Sequence, residues 1–305
     1  MNKNILIIKT GATGDVVRTT VLLHALKNDN VTWITARKNA AILPRKHPAL
    51  QEVVAIEDLS ENHPLKTRPF DLVLSLDDDK QCAILAKSLN TKQIIGTFAD
   101  KEDSAIHYTD DSAAWFDMSL ISTYSKAEAD RKKFMGTRSV QEYLYEMIGK
   151  TFCGEEYLIP EHLKPNPQPN VIGIESRAGE RWPTKRWNGY ETLAEKLKKE
   201  GYEPRFFHDR ENIEDYIRDI AECSMMITGD TLGMHLALAL KIPTVAIFTC
   251  TGANEIYDYG RMAKVVSPHL WDAFFKTEYI PEAVESITQE MVWDAMKSLK
   301  NNMKQ

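Results

Sequence analysis

The chain has 305 residues, 43% of them apolar and 27% charged, with a formal net charge of −6. Such a composition excludes a disordered or fibrous protein, is long enough for two domains, and argues against a general nucleic-acid surface while leaving room for a local basic site. No apolar run is long enough to span a bilayer, the opening Met1-Asn2-Lys3-Asn4 is unlike a signal peptide, and the four scattered cysteines contain no Cys-x-x-Cys pair, so the expectation is a cytoplasmic protein with reduced thiols and no zinc site.

In chain order, apolar runs of strand length alternate with helical patterns, the sequence form of a parallel sheet covered by helices. The first half is expected to hold strands at 5–8, 31–35, 52–56, 70–76 and 93–96, with helices at 15–27 and 80–89. Residues 97–150 break this alternation with mixed charged and aromatic stretches, and read as an insertion rather than core sheet. Lys164-Pro165-Asn166-Pro167-Gln168-Pro169-Asn170 then places three prolines in seven positions, a stiff segment that cannot be helical and divides the chain into domains 1–163 and 164–305. The alternation restarts with strands at 171–174, 203–207, 225–228 and 244–248 and helices at 189–200, 213–223 and 231–240, the first stopped by Gly201. A closing helix at 288–299 is expected to pack back across the first domain. The fold class is therefore α/β, with two Rossmann-like parallel-sheet domains facing a cleft at their carboxyl edges.

Three motifs join strands to helices. In Lys9-Thr10-Gly11-Ala12-Thr13-Gly14-Asp15-Val16-Val17-Arg18-Thr19-Thr20, backbone amides of a glycine turn can face an anion or a sugar. Asp15 is either a general base for a hydroxyl or a carboxylate that merely favours the helix dipole, and Arg18 and Thr19 follow one turn later on the same face. The second motif carries Arg177, Arg181, Lys185 and Arg186 within ten positions, a set that suits a diphosphate or forms a solvated loop; its Trp182 and Trp187 read as packing residues. In the third, Thr228-Gly229-Asp230-Thr231-Leu232-Gly233-Met234-His235, Asp230 or Thr231 is placed to cap a helix whose amides point at a phosphate, with His235 on the first turn. The polar loop 249–261 can border a nucleoside.

The glycine turn also resembles that of short-chain dehydrogenases. The match is partial: Val17 stands where the third glycine would be, no acidic residue closes the second strand, and no Tyr-x-x-x-Lys pair occurs, although Arg37-Lys38 could receive a 2′-phosphate. A nicotinamide-dependent oxidoreductase is thus the alternative, beside a non-catalytic nucleotide-sugar binder. Asp77-Asp78-Asp79 contains the Asp-x-Asp arrangement that holds manganese or magnesium in another glycosyltransferase architecture, but Asp79 can equally cap the helix that follows.

At the three motifs together, the chain resembles glycosyltransferase family 9, the heptosyltransferase family of lipopolysaccharide synthesis, over nearly its whole length. Gly14-Asp15-Val16-Val17-Arg18-Thr19-Thr20 is similar to the family's opening Gly-Asp motif, which implies Asp15 as catalytic base with Gly14, Arg18 and Thr19 on the acceptor side. Thr184-Lys185-Arg186-Trp187 is similar to the Lys-Arg-Trp-Pro segment, with Asn188 in place of proline, and implies that Lys185 binds donor phosphate. Asp230-Thr231-Leu232-Gly233-Met234-His235 resembles the Asp-Thr-x-Gly-x-His segment, implying donor contacts from Asp230, Thr231, Gly233 and His235 beside Arg177 and Arg181. The resemblance implies the GT-B fold and inverting transfer of a sugar, typically from ADP-heptose; because the second-domain cations can neutralise a leaving diphosphate without a divalent ion, no metal or other cofactor is expected. The implied partners are a nucleotide-sugar donor and a saccharide or glycoconjugate acceptor, reached by peripheral membrane contact where it is lipid-linked.

Overall fold

The computed structural model describes residues 2–102 and 105–303. The chain divides into two compact units, Met1–Glu161 and His162–Gln305. In the first, the elements run β1 (Asn4–Ile8), α1 (Thr13–Thr19), α2 (Leu22–Ala25), β2 (Asn30–Thr35), β3 (Leu50–Ala55), β4 (Leu72–Ser75), α3 (Lys80–Ser88), β5 (Ile94–Phe98), β6 (His107–Tyr108), α4 (Asp110–Phe116), α5 (Lys126–Met135) and α6 (Val140–Met147). The sheet order is β3-β2-β1-β4-β5-β6, parallel throughout except for β6, which runs antiparallel to β5. Strand β1 is central, and its unbroken apolar run Ile5-Leu6-Ile7-Ile8 is buried, as a parallel strand covered on both faces requires.

The second unit runs β7 (Val171–Glu175), α7 (Tyr190–Lys199), β8 (Glu203–Phe206), α8 (Ile213–Ala221), β9 (Met225–Gly229), α9 (Leu232–Ala239), β10 (Thr244–Phe248), β11 (Met262–Val266), α10 (Leu270–Ala273), α11 (Pro281–Glu285) and α12 (Gln289–Asn302). Its five strands are all parallel, in the order β11-β10-β9-β7-β8. Gly201 ends α7 with φ +83°, a left-handed position that a residue with a side chain adopts only at a cost. Winding reverses between β1 and β4 in the first sheet and between β7 and β9 in the second. The loops leaving the carboxyl ends of these strand pairs are where open α/β sheets bind ligands.

Two expectations change. The helix at 15–27 is broken into α1 and α2, because Thr19 and Thr20 turn their hydroxyls onto the carbonyls of Asp15 and Val17, at 2.7 and 2.6 Å. The break is then used: the Thr20 hydroxyl accepts from the Leu158 amide, and the Val21 carbonyl accepts from the Tyr145 hydroxyl, at 2.8 and 2.9 Å. Residues 97–150 are not a detachable insertion. Within them α6 starts from a Ser139/Glu142 capping box and buries Val140, Tyr143, Leu144 and Met147, the i, i+3, i+4, i+7 stripe of a core helix. The closing helix α12 is seated in the core of its own unit, where Val292, Met296 and Leu299 join Trp187, Tyr190 and Val265. Strand β11 was not expected, since Lys264 interrupts its short apolar run and Arg261 precedes it.

Candidate functional site

At the first switch point the glycine turn after β1 is fastened by a carboxylate on the loop after β4. Asp77 accepts from the Lys9 ammonium (2.7 Å), the Thr10 hydroxyl (2.8 Å), and the Thr10 and Gly11 amides. Gly11 eases this approach, because a Cβ there would lie 3.1 Å from Asp77 Oδ1, closer than most such contacts. On the other side Asn39 donates to the Thr10 carbonyl (3.0 Å) and accepts from the Thr13 hydroxyl (2.8 Å). Burial works against ionising both partners, but mutual attraction outweighs it: the Lys9 pKa is raised and the Asp77 pKa lowered.

Asp15, second residue after the start of α1, accepts from Arg18 at 2.9 Å, and the Lys9 ammonium lies 3.9 Å away. Its side chain is 31% exposed, whereas that of Asp77 is 4% exposed, so Asp15 is the carboxylate of this cluster that a ligand can reach. Arg18 also lies over the Trp115 ring, 5.8 Å from its centroid. Thr19 is buried with its hydroxyl on the Asp15 carbonyl, and Gly14 is buried, so both shape α1 rather than face an acceptor. The amides of Thr10 and Gly11, expected to face a ligand, are taken by Asp77.

This arrangement also accounts for the Asp-x-Asp sequence: Asp77 turns inward, and Asp79 caps α3 by accepting from the Cys82 amide at 3.1 Å. It weakens the dinucleotide reading, since the glycine-turn amides that would face a pyrophosphate are occupied. Arg37 is also engaged, by Asp58 at 2.5 Å, with its amide on Glu57. Asp77→Asn is expected to lower the stability of the first unit by about 3–5 kcal/mol in urea unfolding, because it leaves Lys9 buried without its main counter-charge. A carboxylate with a depressed folded pKa contributes stability above its unfolded pKa and loses it as pH falls through the folded value. The gap between wild type and variant should therefore be full at neutral pH and shrink on acidification below about pH 4.

At the second switch point Lys185, on the turn Pro183–Lys185, donates to the Asp230 carbonyl and carboxylate at 2.9 and 3.0 Å. Burial opposes ionisation of Asp230, but Lys185, His235 and the Thr251 hydroxyl together hold its pKa well below the usual carboxylate range. Thr231 opens α9 with no side-chain cap, so neither Asp230 nor Thr231 performs the capping expected of them. Gly233 serves packing: a Cβ there would come within 2.7 Å of the Tyr216 hydroxyl and 3.3 Å of Glu175. His235 is buried.

Glu175, at the end of β7, is missing from the sequence reading as a partner, yet it organises this edge. It accepts from the Arg177 guanidinium at 2.8 and 2.6 Å and from the Tyr216 hydroxyl at 2.5 Å. Arg177 also pairs with Asp209, so its charge is already matched within the protein. Arg181 and Arg186 are exposed. Trp187 packs in the core and donates to the Ile287 carbonyl at 2.9 Å. Lys9, Thr10 and Asp77 were equally missed as a unit; the available signal was a lysine directly after one central strand and an aspartate directly after another.

Among the described residues no group of three histidine, cysteine or acidic side chains is placed to hold a metal ion, and no helix is long and apolar enough to cross a membrane.

Residues 210–280, from just before α8 to just before α11 and including the Asp230–His235 segment, match the sequence profile of glycosyltransferase family 9 (heptosyltransferase). No curated protein sequence matches the chain. Among solved structures, the glycosyl transferase family 9 protein from Veillonella parvula DSM 2008 is similar with a TM-score of 0.65 at 16% identity, over 99% of this chain and 98% of that one. The E. coli ADP-heptose lps heptosyltransferase II gives a TM-score of 0.63 at 15% identity over 100% of both chains. E. coli heptosyltransferase WaaC with ADP-2-deoxy-2-fluoro heptose gives 0.62 at 15% identity, over 97% of this chain and 99% of that one. These likenesses establish the GT-B type of architecture, two Rossmann-like parallel-sheet regions in one chain.

Proposed function

We propose that this chain, on its resemblance to glycosyltransferase family 9, is an inverting glycosyltransferase that moves a sugar, a heptose by that likeness, from a nucleoside diphosphate to an acceptor hydroxyl. The observation that carries the reading is the placement of its two charged clusters: each sheet has one, at the strand ends where its winding reverses. In the first unit Asp15 takes the proton of the acceptor hydroxyl as its oxygen attacks the anomeric carbon; Arg18 and Lys9 hold that carboxylate in place. In the second, Lys185 has two of its three N–H donors on Asp230 and turns the third to the diphosphate, joined by Arg181, while the first-turn amides of α9 face the same charge. As the nucleoside diphosphate leaves, these groups carry its growing negative charge, and a single displacement inverts the anomeric centre.

The donor is ADP-heptose in this proposal, since WaaC is described with an ADP-heptose analogue and heptosyltransferase II by an ADP-heptose donor. Metal independence is part of it, because Asp77 and Asp79 are both engaged within the fold. Thermal unfolding with ADP and with NADP, followed by release of ADP from ADP-heptose with and without EDTA, tests these points together. The expected result is stabilisation by ADP alone and ADP release that EDTA leaves intact. Stabilisation by NADP alone returns the oxidoreductase reading, ADP binding with no turnover makes the chain a binding protein, and activity lost to EDTA but restored by manganese ends the metal-free mechanism.

A further inference from the structure

The basic segment after β7 is braced by a second loop, residues 274–280, that no motif marks. Phe275 has φ +47°, a left-handed conformation that a bulky side chain rarely adopts, and its amide donates to the carbonyl of buried Cys250 at 2.9 Å. In that conformation its ring meets Trp182 edge-on, with centroids 5.3 Å apart, and the Arg181 guanidinium lies over the Trp182 ring at 5.0 Å. The same two loops are tied again one turn on. The Thr184 hydroxyl donates to the Glu278 carbonyl (3.2 Å) and accepts from the Ile280 amide (3.0 Å), and Asn188 donates to the Tyr279 hydroxyl (3.1 Å). Lys185 stands between these ties.

We infer that Phe275 is a positioning residue for nucleoside diphosphate binding: its strained backbone sets an aromatic support under Trp182, which holds Arg181 ready for the phosphates. A bulky residue kept in an unfavourable conformation only to fill space would be replaceable by glycine, which suits that φ without strain. Here the ring is what the conformation delivers. The inference rests on the proposed donor chemistry and adds a group that does not itself touch the donor.

The test is a set of full-length variants, Phe275→Gly, Phe275→Tyr, Arg181→Ala and the double Phe275→Gly/Arg181→Ala, read by ADP calorimetry, by donor KM against kcat, and by hydrogen exchange of residues 179–187. Phe275→Gly is expected to weaken ADP binding and raise donor KM about tenfold with kcat little changed, and to speed exchange in that segment; Phe275→Tyr should retain wild-type values. The double variant should bind ADP no more weakly than Arg181→Ala, since both act through one contact chain. Wild-type ADP affinity in Phe275→Gly, or additive losses in the double variant, overturns the inference alone. Absence of binding by ADP, UDP, GDP and CDP to the wild type overturns the donor chemistry and the inference with it.

Discussion

Asp15→Asn is expected to slow sugar transfer by about 10²–10⁴-fold while leaving ADP affinity within about twofold of wild type. Asparagine keeps the size of the side chain and an oxygen for Arg18, which donates to Asp15 at 2.9 Å, but it cannot take up a proton. The substitution also leaves the glycine turn standing, because Asp77 and Asn39 fasten that turn through Lys9, Thr10, Gly11 and Thr13. The loss should therefore fall on kcat at saturating donor and acceptor, with calorimetry of ADP as the control. Unaltered turnover in the Asp15→Asn enzyme assigns the base elsewhere and leaves Asp15 as an anchor for Arg18.

Lys185→Ala should reduce turnover by about 10²–10³-fold, the usual cost of one preorganised charge-stabilising contact, and should weaken ADP binding as well. The change does more than delete a cation. Lys185 does most to hold down the Asp230 pKa against burial, so removing it leaves an acidic group, with His235 and Thr251 still beside it, at the place proposed for a diphosphate. The double variant Lys185→Ala/Asp230→Asn separates the two effects. Removing the second charge should restore part of the ADP affinity but none of the lost turnover, since no cation returns to stabilise the leaving group. Turnover at the wild-type rate in Lys185→Ala would take the donor away from this switch point.

The strands and most helices were legible because their signals are local. The run Ile5–Ile8, the alternating segments on either side of Lys164–Asn170, the cap at Asp79 and the stop at Gly201 each depend on neighbours a few residues away. The charged site was legible as a set of residues and much less so as a set of pairs. Asp77 reaches Lys9 across 68 positions and Lys185 reaches Asp230 across 45, and nothing local says which cation each carboxylate will take. Arg177 read as a phosphate ligand because only the cations of its motif were weighed; in the fold the carboxylate of Glu175, two residues before it, binds the same guanidinium. Gly233 read as part of a donor motif, and the structure gives it the separate task of letting α9 approach Tyr216. Residues 97–150 were misjudged because Tyr145 and Phe116 lie among charged neighbours, and only the folded chain brings the Tyr145 hydroxyl to Val21.

Asp77 gives the first glycine turn an anion of its own: the Thr10 and Gly11 amides, spent on that internal counter-ion, are not available to a mobile one. On the proposed function, a polypeptide with two nucleotide-type folds would then have the stoichiometry of one, its first fold left to recognise something uncharged at the point of contact, as a sugar hydroxyl is.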